Sequence, residues 1–186
     1  MESFITSLIA ITLAEIGDKT QFLALLLATR FKRPLPVIAG IFLAVVVNHA
    51  IAGGAGALIG QYLKPQTLRY ILGISFIATA IWMLKADKEE EPGSLKKSRG
   101  AFTTSFIAFL IAEIGDKTQI ATAQLAAKFH DLPMVICGTV VGMMLADLPV
   151  IFMGNRISAK LPMQRIRVVT AVIFAVLGVL ALLGIG

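Results

Sequence analysis

Six long apolar runs follow one another along this chain, at about residues 3–28, 35–60, 67–85, 101–127, 133–155 and 166–185. Each is near or above the roughly 20 residues that cross the hydrocarbon core of a bilayer. None carries a polar face wide enough to meet water, so the pattern predicts membrane-spanning helices rather than a soluble bundle. The longer runs leave room for tilt or a break. The expected architecture is all-α and polytopic, with six transmembrane helices.

Polar residues interrupt the apolar pattern most sharply at two places. Ala14 to Gln21 reads AEIGDKTQ, and the same eight letters return from Ala112 to Gln119. An offset of 98 aligns the two halves without a gap. Phe4, Thr6, Ser7, Ile9 and Ala10 match Phe102, Thr104, Ser105, Ile107 and Ala108, and Gly40 matches Gly138. Gly56 matches Gly154, Leu63 matches Leu161, Arg69 matches Arg167 and Phe76 matches Phe174. The chain reads as a duplicated three-helix unit: residues 1–85, a linker at 86–100 and residues 101–186. An odd number of helices per unit makes the second unit enter the membrane from the opposite side. Two inverted three-helix repeats are expected, a build common among secondary transporters, with the substrate held near the midplane between repeats.

Charge refines this picture. The chain is 57% hydrophobic and 15% charged, with a mean hydropathy of +0.85. Its net charge of +6 would allow a nucleic-acid partner, but the basic residues stand in short connections. Arg30, Lys32 and Arg33 follow the first run, and Lys85, Lys88, Lys96, Lys97 and Arg99 lie in or beside the linker. Arg156, Lys160, Arg165 and Arg167 follow the fifth run, whereas only Lys64, Arg69 and Lys128 fall on the other side. The positive-inside rule then places the first, third and fifth connections in the cytoplasm and both termini outside it. The first run has no basic n-region and no cleavage site, so it reads as a spanning helix. The linker, with Glu89-Glu90-Glu91 and Pro92-Gly93, reads as solvated and flexible. The lone Cys137 excludes an intramolecular disulfide and reads as a small buried hydrophobe.

An ionisable group at mid-helix costs ~2.5–3.5 kcal/mol on insertion scales, and each octapeptide carries three. On a continuous helix Glu15 and Asp18 would share a face, and Lys19 would stand one turn beyond Glu15 and partly neutralise it. Gly17 allows close helix approach or a local break. Ion pairing of Glu15 with Lys19 and of Glu113 with Lys117 would leave Asp18 and Asp116 unexplained. Each motif carries a net −1, so two facing motifs match one divalent cation. The carboxylates of Glu15, Asp18, Glu113 and Asp116 are hard oxygen donors. Gln21, Gln119, Thr20 and Thr118 add neutral oxygens, with the two Gln residues expected as direct or water-separated ligands. Such a set suits Mg²⁺, Ca²⁺ or Mn²⁺ and lacks the Cys, His or Met that Zn²⁺ and Cu⁺ normally recruit. The Met residues are read as apolar packing. Asn48-His49 aligns with Ala146-Asp147, which makes His49 and Asp147 repeat-related polar groups within the membrane, able to support the site or carry protons. The small residues of AGGAGALIG at 52–60 suit close helix packing and lack the Lys-Ser/Thr of a phosphate loop.

Two copies of Glu-x-Gly-Asp-Lys-Thr in a two-by-three-helix membrane chain resemble the Golgi calcium/manganese–proton exchangers and their bacterial manganese-exporting relatives of the MneA type. The likeness covers essentially the whole chain. It implies that Glu15, Asp18, Glu113 and Asp116 bind the metal. It also implies proton antiport, and Mn²⁺ export across a bacterial inner (plasma) membrane with Ca²⁺ as the alternative substrate. By this likeness the protein is a transporter rather than an enzyme, with metal ion, protons and lipid as partners and no resident cofactor. Two rival classes remain. An intramembrane aspartyl protease would carry Gly-x-Gly-Asp, but Ile16 and Ile114 precede the glycines here. A non-transporting membrane assembly factor would show no metal flux.

Overall fold

The computed structural model describes residues 1–84, 100–153 and 163–184. The linker and its acidic run lie outside the described residues, as do Arg156, Lys160 and the repeat members Gly154 and Leu161. The regular structure of the described residues is all helical, in eight segments. In chain order these are α1 (Glu2–Glu15), α2 (Lys19–Phe31), α3 (Pro34–Tyr62) and α4 (Pro65–Met83), then α5 (Ala101–Ala112), α6 (Lys117–Phe129), α7 (Leu132–Met153) and α8 (Met163–Leu183).

α3 and α7 are long and apolar enough to cross a membrane. The first and fourth apolar runs are divided. α1 and α2 contain 14 and 13 residues, α5 and α6 contain 12 and 13, so each is about 20 Å long. Both divisions fall inside the octapeptide. Glycine supplies the turn, with φ of +79° at Gly17 and +74° at Gly115, a region other residues enter only at a cost. The following Asp18 and Asp116 then take extended backbone as the N-caps of α2 and α6. The expectation that Glu15 and Asp18 share one helical face is therefore corrected: Glu15 ends one helix and Asp18 begins the next.

The halves pack reciprocally. α1 lies against α7 as α5 lies against α3, and α2 against α7 as α6 against α3, while α4 pairs with α8. Glycines permit the close approaches. A Cβ at Gly40 would meet the Phe102 carbonyl at 2.5 Å, and one at Gly138 would meet the Phe4 carbonyl at 2.5 Å. Phe76 and Phe174, which are repeat mates, touch each other with ring centroids 6.0 Å apart. The small residues at 52–60 behave as expected, since Gly56 and Gly60 sit against the backbone of Ala123 and Ala127 on α6.

Polarity is arranged for an apolar surround. Glu15, His49, Glu113 and Asp147 are fully buried, while Ile51, Ile74, Ile81, Ile111, Ile114 and Phe152 are exposed. An apolar exterior around a charged interior suits lipid, not water. Cys137 also faces outward, exposed, where burial was expected. One end of the bundle gathers the termini and two connections. Ser3 Oγ donates to Asp131 at 2.8 Å, and an open cavity there is lined by Leu63, Lys128, His130 and Gly184, among others.

Candidate metal centre

The aspartates of the two breaks are buried and each meets a lysine of the other break. Lys19 Nζ lies 3.4 Å from Asp116 Oδ1, and Lys117 Nζ lies 3.8 Å from Asp18 Oδ2. Each lysine thus pairs with the aspartate of the other half. The alternative of Glu15–Lys19 and Glu113–Lys117 pairs is not what the structure displays. It required a continuous helix, which the glycine turn removes.

Within each break the same two side-chain bonds recur. Gln21 Oε1 accepts from Gly17 N at 2.8 Å, and Gln119 Oε1 accepts from Gly115 N at 2.7 Å. Thr20 Oγ1 donates to Glu15 Oε1 and Thr118 Oγ1 donates to Glu113 Oε2, the second at 3.1 Å. The Gln amide groups also reach the opposite half, Gln21 Nε2 donating to the Ala146 carbonyl at 2.8 Å and Gln119 Nε2 to Asn48 Oδ1 at 3.5 Å. Each of these amide oxygens keeps a second lone pair, so Gln21 and Gln119 can hold the glycine N–H groups and still ligate a metal.

The glutamates are placed differently from the aspartates. Glu15 is the last residue of α1 and Glu113 caps the end of α5, so both add negative charge where the helix dipole is already negative. Both are fully buried, and Glu15 Oε2 and Glu113 Oε1 have no hydrogen-bond partner. Asp18 and Asp116 stand at the positive N-termini of α2 and α6, where a carboxylate is favoured. Glu15 lies within electrostatic reach of Asp147, Glu113 and Asp18. In this conformation no three Asp, Glu, His or Cys side chains among the described residues converge tightly enough to hold an ion.

The other sequence candidates border this centre. Asn48 Nδ2 donates to the Leu110 carbonyl at 3.3 Å, and His49 Nδ1 stands 3.3 Å from Thr122 Oγ1. Asp147 is buried on α7 with both carboxylate oxygens unpartnered. Sequence reasoning passed over Thr122, which also donates to the Thr118 carbonyl at 2.8 Å. It named Ser7 and Ser105 only as matching positions. Both are fully buried with unpartnered hydroxyls. The exact repetition of a polar residue in two apolar runs was the available signal.

Comparison with known proteins identifies the family. The family model "Divalent cation/proton antiporter GDT1" matches residues 3–91 and 101–185. A "Putative manganese exporter" of Vibrio cholerae is 50% identical over 169 residues, covering 90% of this chain and 84% of that protein. GDT1-like protein 5 of Arabidopsis thaliana is 26% identical, covering 98% of this chain and 96% of its own length. GDT1-like protein sll0615 of Synechocystis is also 26% identical, covering 97% of both chains. No solved structure matches the chain significantly. With a family model spanning both halves and a half-identical relative, the chain belongs to the GDT1 family of divalent cation/proton antiporters.

Proposed function

We propose that this protein exports Mn²⁺ from the cytoplasm in exchange for protons. The exchange passes through a midplane site made where the two Glu-Asp motifs meet. The carrying observation is the reciprocal Lys19–Asp116 and Lys117–Asp18 contact between the two helix breaks, whose aspartates are buried. Discontinuous helices that point their ends at a midplane are how many transporters coordinate ions, with C-terminal helix ends favouring cations. Glu15 and Glu113 stand at two such ends. The metal is the transported substrate and no resident cofactor is invoked.

The architecture we assign is six spans as two inverted repeats, residues 1–85 and 101–186, joined by a cytoplasmic linker at 86–100. The reciprocal glycine contacts at Gly40 and Gly138 support it. Both termini then lie outside the cytoplasm of a bacterial inner membrane, in keeping with their grouping at one end of the bundle. Mn²⁺ is preferred over Ca²⁺ as substrate because of the half-identical Vibrio relative; the oxygen donors alone accept either ion.

Glu15, Asp18, Glu113 and Asp116 are assigned as the metal-binding acids, with Gln21 and Gln119 as ligands direct or through one water and Thr20 and Thr118 orienting the glutamates. Purified protein, titrated with Mn²⁺ and followed by the loss of the free-ion resonance signal, tests the assignment. Glu15→Gln and Glu113→Gln should each abolish tight binding. Unaltered binding in both variants would refute it.

A further inference from the structure

Asp147 stands outside both motifs, on α7, and is fully buried with neither carboxylate oxygen meeting a hydrogen-bond partner. Among the described residues no basic side chain pairs with it. Its place is set by its neighbour: the Ala146 carbonyl takes the Gln21 amide, and Gln21 in turn holds Gly17 in the α1–α2 turn. α7 packs along α1 and against α2 and α6. The Asp147 charge consequently acts on both Glu15 and Glu113.

An unpaired carboxylate in a membrane interior is costly, ~2.5–3.5 kcal/mol even on insertion scales. An apolar residue of similar size would favour the fold. The other half has no such acid, because His49 occupies the equivalent position and turns its Nδ1 to Thr122. The lysines meanwhile engage Asp18 and Asp116. The buried oxygens left without a partner in the acid cluster are therefore Glu15 Oε2, Glu113 Oε1 and both of Asp147, with the opposed Lys117 contact accounting for Asp18 Oδ2.

We propose that Asp147 is a fifth carboxylate of the cation site, joining Glu15 and Glu113 as the inner oxygen donors for the divalent ion, with Asp18 and Asp116 behind them on the lysine ties. This rests on the functional reading above and extends it beyond the doubled motif to an acid supplied by one half only. The three acids do not yet converge in this conformation, so loading draws α7 toward the breaks. Pro149, inside α7 two residues beyond Asp147, cannot return the helical hydrogen bond to the Leu145 carbonyl and gives the helix a place to bend.

The test is Mn²⁺ binding to the purified full chain at one fixed pH. Asp147→Asn should lower affinity about tenfold or more, while the metal-free variant melts at an unchanged or higher temperature. A lower melting temperature with Mn²⁺ affinity within about twofold of the unmutated chain would make Asp147 structural and overturn the inference. Labelling of the unmutated chain needs no variant to fold. Saturating Mn²⁺ should protect Asp147 from dicyclohexylcarbodiimide, read by peptide mass spectrometry, and undiminished labelling would also overturn it. Glu15→Gln is measured alongside. If it loses Mn²⁺ while Asp147→Asn does not, this inference fails and the motif site stands. If neither variant loses Mn²⁺, the reading of the motif site itself fails.

Discussion

Lys19 Nζ lies 3.4 Å from Asp116 Oδ1, so a lysine of the first half neutralises an aspartate of the second. The return contact, Lys117 to Asp18, is the more deeply buried, with Lys117 5% and Lys19 22% exposed. Removing one partner of a buried pair leaves the other uncompensated, at about 3–5 kcal/mol. Lys117→Met should therefore destabilise the protein more than Lys19→Met in thermal unfolding. A double-mutant cycle should couple Lys117 more strongly to Asp18 than to Glu113. The reverse order would restore pairing within each motif.

Gly115 offers a clean probe of the helix break. Its φ is +74° and an added Cβ would meet nothing within 4 Å, so a substitution feels the backbone alone. Gly115→Ala should cost about 1–2 kcal/mol, and Gly115→Asn less, since Asn tolerates the left-handed region better. Equal melting temperatures for the Ala variant and the unmutated chain would argue against the break.

The reciprocal packing predicts paired effects. Gly40→Ala and Gly138→Ala each drive a methyl group into a backbone carbonyl of the opposite half, at about 1–3 kcal/mol. Gly54, with open space around it, should accept Ala with little change. Unequal losses at Gly40 and Gly138 would show that the halves do not pack alike.

Hydropathy made the helical class and the apolar runs legible, because burial in lipid demands long apolar stretches. The breaks were harder to read. Glu15 to Gln21 sits inside an apolar run whose hydropathy continues on both sides, and a spacing argument assumes the helix it then uses. The local signal was nonetheless present: a glycine able to stop one helix, followed directly by an aspartate suited to start another. Missing it misassigned the partners of Lys19 and Lys117, since a turn at Gly17 redirects every later side chain. Asp147 was visible as a buried acid, but its electrostatic reach to Glu15 and Glu113 depends on packing between α7 and the breaks, which no spacing within one half encodes.

Competition between protons and metal for the same carboxylates gives a pH dependence of known sign. Protonation removes the oxygen charge that holds the cation, so raising the pH should strengthen apparent Mn²⁺ affinity. Asp18→Asn should weaken both the affinity and its pH dependence. Isothermal titration across a pH series checks this, and an affinity independent of pH would exclude shared carboxylates.

The central claim, exchange of Mn²⁺ for protons, is tested most directly in proteoliposomes carrying an internal pH dye and an external Mn²⁺ indicator. The purified chain should carry Mn²⁺ down its gradient while protons move the opposite way, and an imposed pH gradient should drive Mn²⁺ uphill. Glu113→Gln should abolish both movements together. Mn²⁺ flux that neither moves protons nor responds to a pH gradient would contradict antiport and leave a channel or an exchanger for another ion.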